Sequence, residues 1–299
     1  MGINKQTLEM LLNENEYKKI SGNFLCVGKQ TVHVDLNHAI ELFGRYGLSI
    51  DSLNNLYSLK KFDTSTRHGN ETIFDHDLLA CFSVAKYHCL DRSKYEGATI
   101  VHDMNTPIPE NMYGQFDFIY NGSCMDNLFN PVSFIQNTSR MLKTGGRILH
   151  IECAAGVVGA YLMYSPQWFF SYYAINNFKD CKVYVTIARE EGRNRFIFDT
   201  DLFSWKPFFT LQDDYNYIKG IQSINGLMHV IVIAEKGKKS TNDLYPIQMQ
   251  YLDKKTMDWR HKYYDFKKSE RPLIKLKHRD NDSVLPYLSD HFEYLGSKF

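Results

Sequence analysis

The stretch from Phe116 to Glu152, FDFIYNGSCMDNLFNPVSFIQNTSRMLKTGGRILHIE, constrains the fold more than any other part of the chain. Phe116 to Tyr120 has the near-continuous apolar character of a strand covered on both faces. Asn130-Pro131 offers a helix start, with asparagine as cap and proline at the first position. Val132, Ile135 and Leu142 share one face of that helix, with Phe134, Thr138 and Met141 flanking them, and Gly145-Gly146 predicts its end. Ile148, Leu149 and Ile151 mark the following strand. Strand, polar loop, helix and strand in this order make half of a doubly wound α/β domain. The loops at the carboxyl ends of its parallel strands are where such a sheet binds ligands.

The rest of the chain extends the alternation. Residues 6–19 read as a short amphipathic helix, and Phe24 to Gly28 as a buried first strand ending in glycine. A helix is expected over 35–47, an insertion over 50–73, and a helix from Asp75 or Asp77 through Ala85. Tyr87 to Asp91 and Ala98 to Asp103 read as strands that each end in a carboxylate, and Pro107 and Pro109 break the chain after the second. Ser165-Pro166 opens an aromatic helix over 167–176. Lys182 to Ala188 and Leu227 to Lys236 are strand-like, with an insertion over 189–226. No clear helix separates these last two strands, which allows an antiparallel end to the sheet. The pattern predicts a mostly parallel, doubly wound α/β sheet of seven strands over 1–252 and a basic, aromatic C-terminal extension over 253–299.

Composition excludes several classes. Of 299 residues, 43% are hydrophobic and 14% aromatic, which supports a sizeable core. The formal net charge of +1 gives no reason to expect nucleic acid or an anionic membrane as the main partner. No apolar run reaches the length of a membrane span, and the charged start of the chain is not a signal peptide. Cys26, Cys81, Cys89, Cys124, Cys153 and Cys181 form no CxxC pair, as suits reduced thiols in a cytoplasmic protein. Neither cysteines nor histidines have metal-site spacing, so no metal is expected. No GxGxxG occurs, which argues against a diphosphate-binding nucleotide-sugar enzyme on the same architecture.

The segments CVGKQTV, LDRSKYEGATIVHDMNTPIPE, FDFIYNGS, FNPVSFIQNTSRMLKTGG, YSPQWFFSYYAINNF and STNDLYPIQMQY together resemble class I S-adenosylmethionine (SAM) methyltransferases with a Rossmann-like sheet. More narrowly, they are similar to a subgroup often encoded with surface-polysaccharide genes. The LK-x-GG element is common; YEGATIVHDMNTPIP followed by SPQWFF is more specific. The resemblance implies SAM as cofactor and O-methylation of a carbohydrate or related small metabolite.

The chemistry of such a cofactor assigns roles to residues at the strand ends. Asp91, with Arg92 beside it, would receive the ribose hydroxyls, and Asp103 with Met104 the adenine. Gly28, or in its place the segment Arg67-His68-Gly69-Asn70, would turn close to the methionine carboxylate, and Asn121, Gly122 and Ser123 would pass near the methionine moiety. Where relatives carry Glu-His after the fourth strand, this chain carries Asp126-Asn127, and a histidine of relatives is replaced around Val158. Asp126 is then the candidate base and Tyr161 a candidate at the acceptor entrance. A second reading is a non-catalytic, methyltransferase-like binding or assembly protein. The C-terminal extension offers a contact for a homo-oligomer.

Overall fold

The computed structural model describes residues 2–48, 73–156, 159–188, 200–207, 209, 227–252, 259–276 and 292–298. In chain order the elements are β1 (Gly2–Ile3), α1 (Lys5–Tyr17), β2 (Ser21–Val27), β3 (Thr31–Val32), α2 (Leu36–Arg45), α3 (Asp75–Ala80), β4 (Ser83–Asp91), β5 (Ile100–Val101), β6 (Phe116–Gly122), α4 (Pro131–Met141), β7 (Leu142–Ala155), α5 (Pro166–Ile175), β8 (Asp180–Ala188), β9 (Thr200–Trp205), β10 (Met228–Glu235), α6 (His261–Lys267) and β11 (Phe292–Lys298). No helix among the described residues is long and apolar enough to cross a membrane.

The caps act where their residue types suggest. The Asn130 side chain accepts from Ser133 N to open α4, and Ser165 accepts from Trp168 N to open α5. The main sheet runs β11-β9-β8-β10-β7-β6-β2-β4-β5. β5, β4, β2, β6 and β7 pair in parallel, in the 3-2-1-4-5 order of a doubly wound fold. β10 is antiparallel to both β7 and β8, which gives the sheet the antiparallel end that the missing helix allowed. Side chains alternate between two cores. Ile148, Val230, Phe134 and Phe169 fill one face, and Leu149, Ile231, Leu8 and Phe43 fill the other.

Several expectations are corrected. Among the described residues the main sheet has nine strands rather than seven, because β9 and β11 continue it antiparallel beyond β8. β9 comes from the part of 189–226 that is described, whereas 49–72, most of the expected first insertion, lies outside the described residues. α3 stops at Ala80 rather than Ala85, since Ser83 and Val84 are drawn into parallel pairing with Ser21 and Gly22. α4 ends at Met141, and Gly145-Gly146 lies within β7. A Cβ on Gly146 would stand 2.9 Å from both Lys143 O and Phe116 O, so close approach of neighbouring backbone is what requires glycine there. The segment 259–276 is built into the body of the fold. Trp259 and Phe266 join the core on the α4 and α5 face, and Arg271 is 1% exposed.

Candidate functional site

Strand order reverses between β2 and β6, and the loops leaving these two strands meet over the end of the sheet. Gly28 turns the first loop at φ +70°, and its N–H donates to Leu90 O at 2.7 Å, tying the loop to the end of β4. A Cβ on Gly28 would come 2.5 Å from Cys124 Sγ, which itself donates to Val27 O at 2.8 Å. Gln30 crosses the same gap. Its Nε2 donates to Val27 O (3.0 Å) and Gly28 O (3.1 Å), and its Oε1 lies against Gly122 where any Cβ would collide. The residue is 1% exposed, yet Oε1 has no hydrogen-bond donor among the described residues. A buried acceptor left open at the switch point suits a donor group on a ligand.

Asp91 and Asp103 leave neighbouring strands and flank one arginine. Asp91 is half-buried at the end of β4, with Oδ1 accepting from Arg92 N at 2.6 Å. Its Oδ2 has no donor among the described residues. Arg92 is exposed and brings Nε within 3.8 Å of Asp103 Oδ2. Asp103 Oδ1 accepts from Asn105 N (3.0 Å) and Nδ2 (2.9 Å). These two bonds, backbone first, hold its carboxyl below the ordinary aspartate value. Met104 is buried beneath, among Ile108 and Phe134.

The loop after β6 is held from below by polar side chains of β7. Asn121 is fully buried. Its Nδ2 donates to His150 Nδ1 (2.9 Å) and Glu152 Oε1 (2.5 Å), and its Oδ1 accepts from Cys124 N (3.1 Å). The ring proton of His150 is therefore on Nε2, 2.6 Å from Tyr173 OH. Burial pulls this imidazole down to about 3. Glu152 also accepts from Met125 N (3.2 Å) and Asp126 N (3.1 Å), capping the short turn Met125–Asn127. Burial first, then the charge of Asp126, push its carboxyl well above the ordinary range.

The proposed catalytic pair separates. Asp126 is 2% exposed and both its oxygens are engaged. Oδ2 accepts from Ser123 Oγ and, at 2.8 Å, from Cys153 Sγ, while Oδ1 accepts from Asn127 Nδ2 at 2.7 Å. Ser123 sits at φ +66°, and its hydroxyl is spent on this contact. Tyr161 is 61% exposed and packs its ring 4.8 Å from that of Phe129, itself 82% exposed. Tyr161 N donates to Asp126 O at 2.8 Å, so the aromatic pair stands over the Asp126 turn. The structure thus gathers Gly28, Asp91, Arg92, Asp103 and Gly122 around the strand ends. It gives Asn121, Ser123 and Asp126 to a buried network and Met104 to the core. Val158 lies outside the described residues.

Gln30, His150, Glu152 and His229 were not assigned to the site by the sequence. His150 and Glu152 carried a signal: two polar residues at i and i+2 in an apolar strand must face the same side. His229 opens β10 opposite Cys153, and burial lowers it to about 4. Both histidines stay neutral in the folded chain while the unfolded chain takes up protons near pH 6.5. The unfolded state therefore binds more protons in the window from 6.5 down to about 4, and stability falls as pH falls. Urea unfolding should show each histidine contributing roughly 1.4 kcal/mol per pH unit there, with His229→Gln flattening the profile by that amount.

No protein-family model matches the chain, and no curated protein matches it. Solved structures share its outline. A SAM-dependent methyltransferase from Archaeoglobus fulgidus aligns with 78% of this chain over 94% of its own, at 10% identity and a TM-score of 0.40. Phosphoethanolamine N-methyltransferase 2 of Haemonchus contortus, with phosphomonomethylethanolamine and S-adenosylhomocysteine, aligns with 78% of this chain at 12% identity and a TM-score of 0.39. The match covers 53% of that enzyme, so this chain spans about half its length. A geranyl diphosphate methyltransferase in complex with SAM aligns with 78% of this chain over 85% of its own, at 10% identity and a TM-score of 0.39. At these identities and scores the likeness says nothing of this chain's chemistry.

Proposed function

We propose that this protein is a SAM-dependent methyltransferase of the cytoplasm that O-methylates a carbohydrate or related small metabolite. The observation that carries the proposal is the pair Asp91 and Asp103, side by side at successive strand ends next to the switch point. The residues fit the cofactor at both ends. Asp91 offers an open carboxylate oxygen to vicinal hydroxyls, and the orphaned Gln30 Oε1 offers an acceptor to an ammonium. Bound there, SAM would supply a methyl group on a positively charged sulfur. The chain's own residues would grip, orient and exclude water, since alignment supplies much of the rate of such a transfer. The carbohydrate class is supported by the resemblance of YEGATIVHDMNTPIP and SPQWFF, and by the exposed Phe129–Tyr161 rings, which present an apolar face to a sugar ring.

Calorimetric titration with SAM tests the reading. Wild type is expected to bind, and Asp91→Ala to weaken binding by about 1–3 kcal/mol, the cost of losing a hydrogen bond to a charged acceptor. No heat with SAM or its demethylated product would remove the cofactor from the proposal. The closed state of Asp126 favours a second reading, a binding or assembly protein that keeps the cofactor site. Tight SAM binding with no methylated product across a panel of glycosides would select it.

A further inference from the structure

The side chain of Gln30 keeps its acceptor open because its amide cannot turn. Both hydrogens on Nε2 are spent, on Val27 O (3.0 Å) and Gly28 O (3.1 Å), so a flipped amide would set oxygen against two carbonyls. Oε1 is thereby aimed across the switch point at Gly122. The group that fixes the Gln30 backbone lies outside both loops. Gln30 N donates to Asp75 Oδ2 at 2.9 Å, a buried bond between residues 45 apart in the chain. Asp75 stands in the first turn of α3, where an acidic side chain ordinarily serves the helix end from solvent. Here it is 1% exposed and turns inward to the loop after β2. Oδ2 also accepts from Tyr87 OH on β4 (2.9 Å), and Oδ1 from His76 N (2.8 Å). One carboxylate therefore ties this loop to β4 and to α3. Two neighbouring contacts dock the same loop: Thr31 bridges to Phe74, and Lys29 Nζ lies 4.9 Å over the Phe74 ring. Hydrogen bonds to an ionised acceptor are shorter and stronger than neutral ones, so three of them on one buried carboxylate define a single geometry.

We propose that Asp75 is a positioning residue for the amino-acid end of the cofactor, holding Gln30 so that Oε1 meets the ligand's ammonium. The inference rests on the methyltransferase reading and deepens it: the grip on the ammonium is set from α3. Both oxygens of Asp75 are engaged by protein donors, so it acts through Gln30.

Calorimetry with S-adenosylhomocysteine and its deaminated analogue, which has hydrogen in place of the amino group, gives the test. Asp75→Ala is expected to weaken S-adenosylhomocysteine about tenfold and the analogue less than about twofold, the difference being a hydrogen bond that only the ammonium makes. Gln30→Leu should give the same selective loss. In the Gln30→Leu background, Asp75→Ala should cost a further factor below about two, because the residue it positions is gone. Asp75→Asn keeps one oxygen but turns an NH2 toward His76 N or Gln30 N. It should show a loss of the same selectivity, about threefold, and it carries the test where Asp75→Ala does not fold. Equal weakening of the two ligands, no loss in Asp75→Asn, or the whole tenfold loss without the Gln30 amide would overturn the proposal and leave the cofactor reading standing. Failure of both ligands to bind wild type would overturn the two together.

Discussion

Arg271→Met is expected to lower unfolding free energy by about 3 kcal/mol, measured by urea denaturation at neutral pH. Arg271 is fully buried, with Nε 2.6 Å from Asp180 Oδ2, NH2 3.2 Å from Glu235 Oε2, and NH1 against Glu14 Oε2. Its plane also covers the Tyr17 ring at 5.0 Å. Burial opposes the charge, but Glu14 and Asp180 outweigh it and hold the guanidinium above its ordinary value. Removing one partner of a buried ion pair costs about 3–5 kcal/mol, because the other charge is left uncompensated. The low end applies, since each carboxylate keeps another cation: Arg147 at Glu14 (3.0 Å), Lys182 at Asp180 (3.1 Å) and Lys179 at Glu235 (3.0 Å). Arg271→Lys should rescue little, as an ammonium has no planar fork to serve three carboxylates on α1, β8 and β10. A Glu14→Gln, Arg271→Met double-mutant cycle should show strong coupling; additive losses would contradict a shared network.

The same arginine shows where the sequence stops being legible. In the linear chain, Arg271 belongs to a run of cations and aromatics that suits a solvated extension. Its partners lie far away in sequence, at Glu14, Asp180 and Glu235, and no local pattern announces their meeting. By contrast, the parallel core was legible because its signals are local: apolar strands, Asn130 and Ser165 as caps, and prolines at first helical positions. Two-residue pairings such as Gly2–Ile3 with Thr31–Val32 are too short to carry a period. At the site, Asp91 and Asp103 could be read as carboxylates closing apolar strands. Gln30 could not, since its role arises only when the loops after β2 and β6 converge on it. Asn121 and Ser123 belong to the expected loop, yet their side chains turn inward because Glu152 and Asp126 lie beneath them.

Glu152→Leu is expected to cost about 3 kcal/mol of stability and to loosen the turn carrying Asp126. The substitution strands Met125 N, Asp126 N and one Asn121 Nδ2 hydrogen, all buried donors, each costing about 1–3 kcal/mol when unpaired. Release from burying a carboxylate offsets part of the sum. Glu152→Gln separates shape from charge. The amide keeps one oxygen for Asn121 and Met125 but turns an NH2 toward Asp126 N, so two donors would face each other. If that conflict dominates, the variant lies between wild type and Glu152→Leu. The pH dependence supplies the second readout. A carboxyl raised above its unfolded value of 4.5 takes its proton earlier in the folded chain. Between those two values the folded state binds the extra proton, and stability falls as pH rises through the window. Glu152→Gln cannot titrate and should remove that fall, leaving alone the histidine-driven slope of opposite sign that overlaps it between pH 4.5 and 6.5. A variant whose profile superimposes on wild type between pH 4.5 and 8 would mean that Glu152 is ionised throughout, held so by the three donors it accepts.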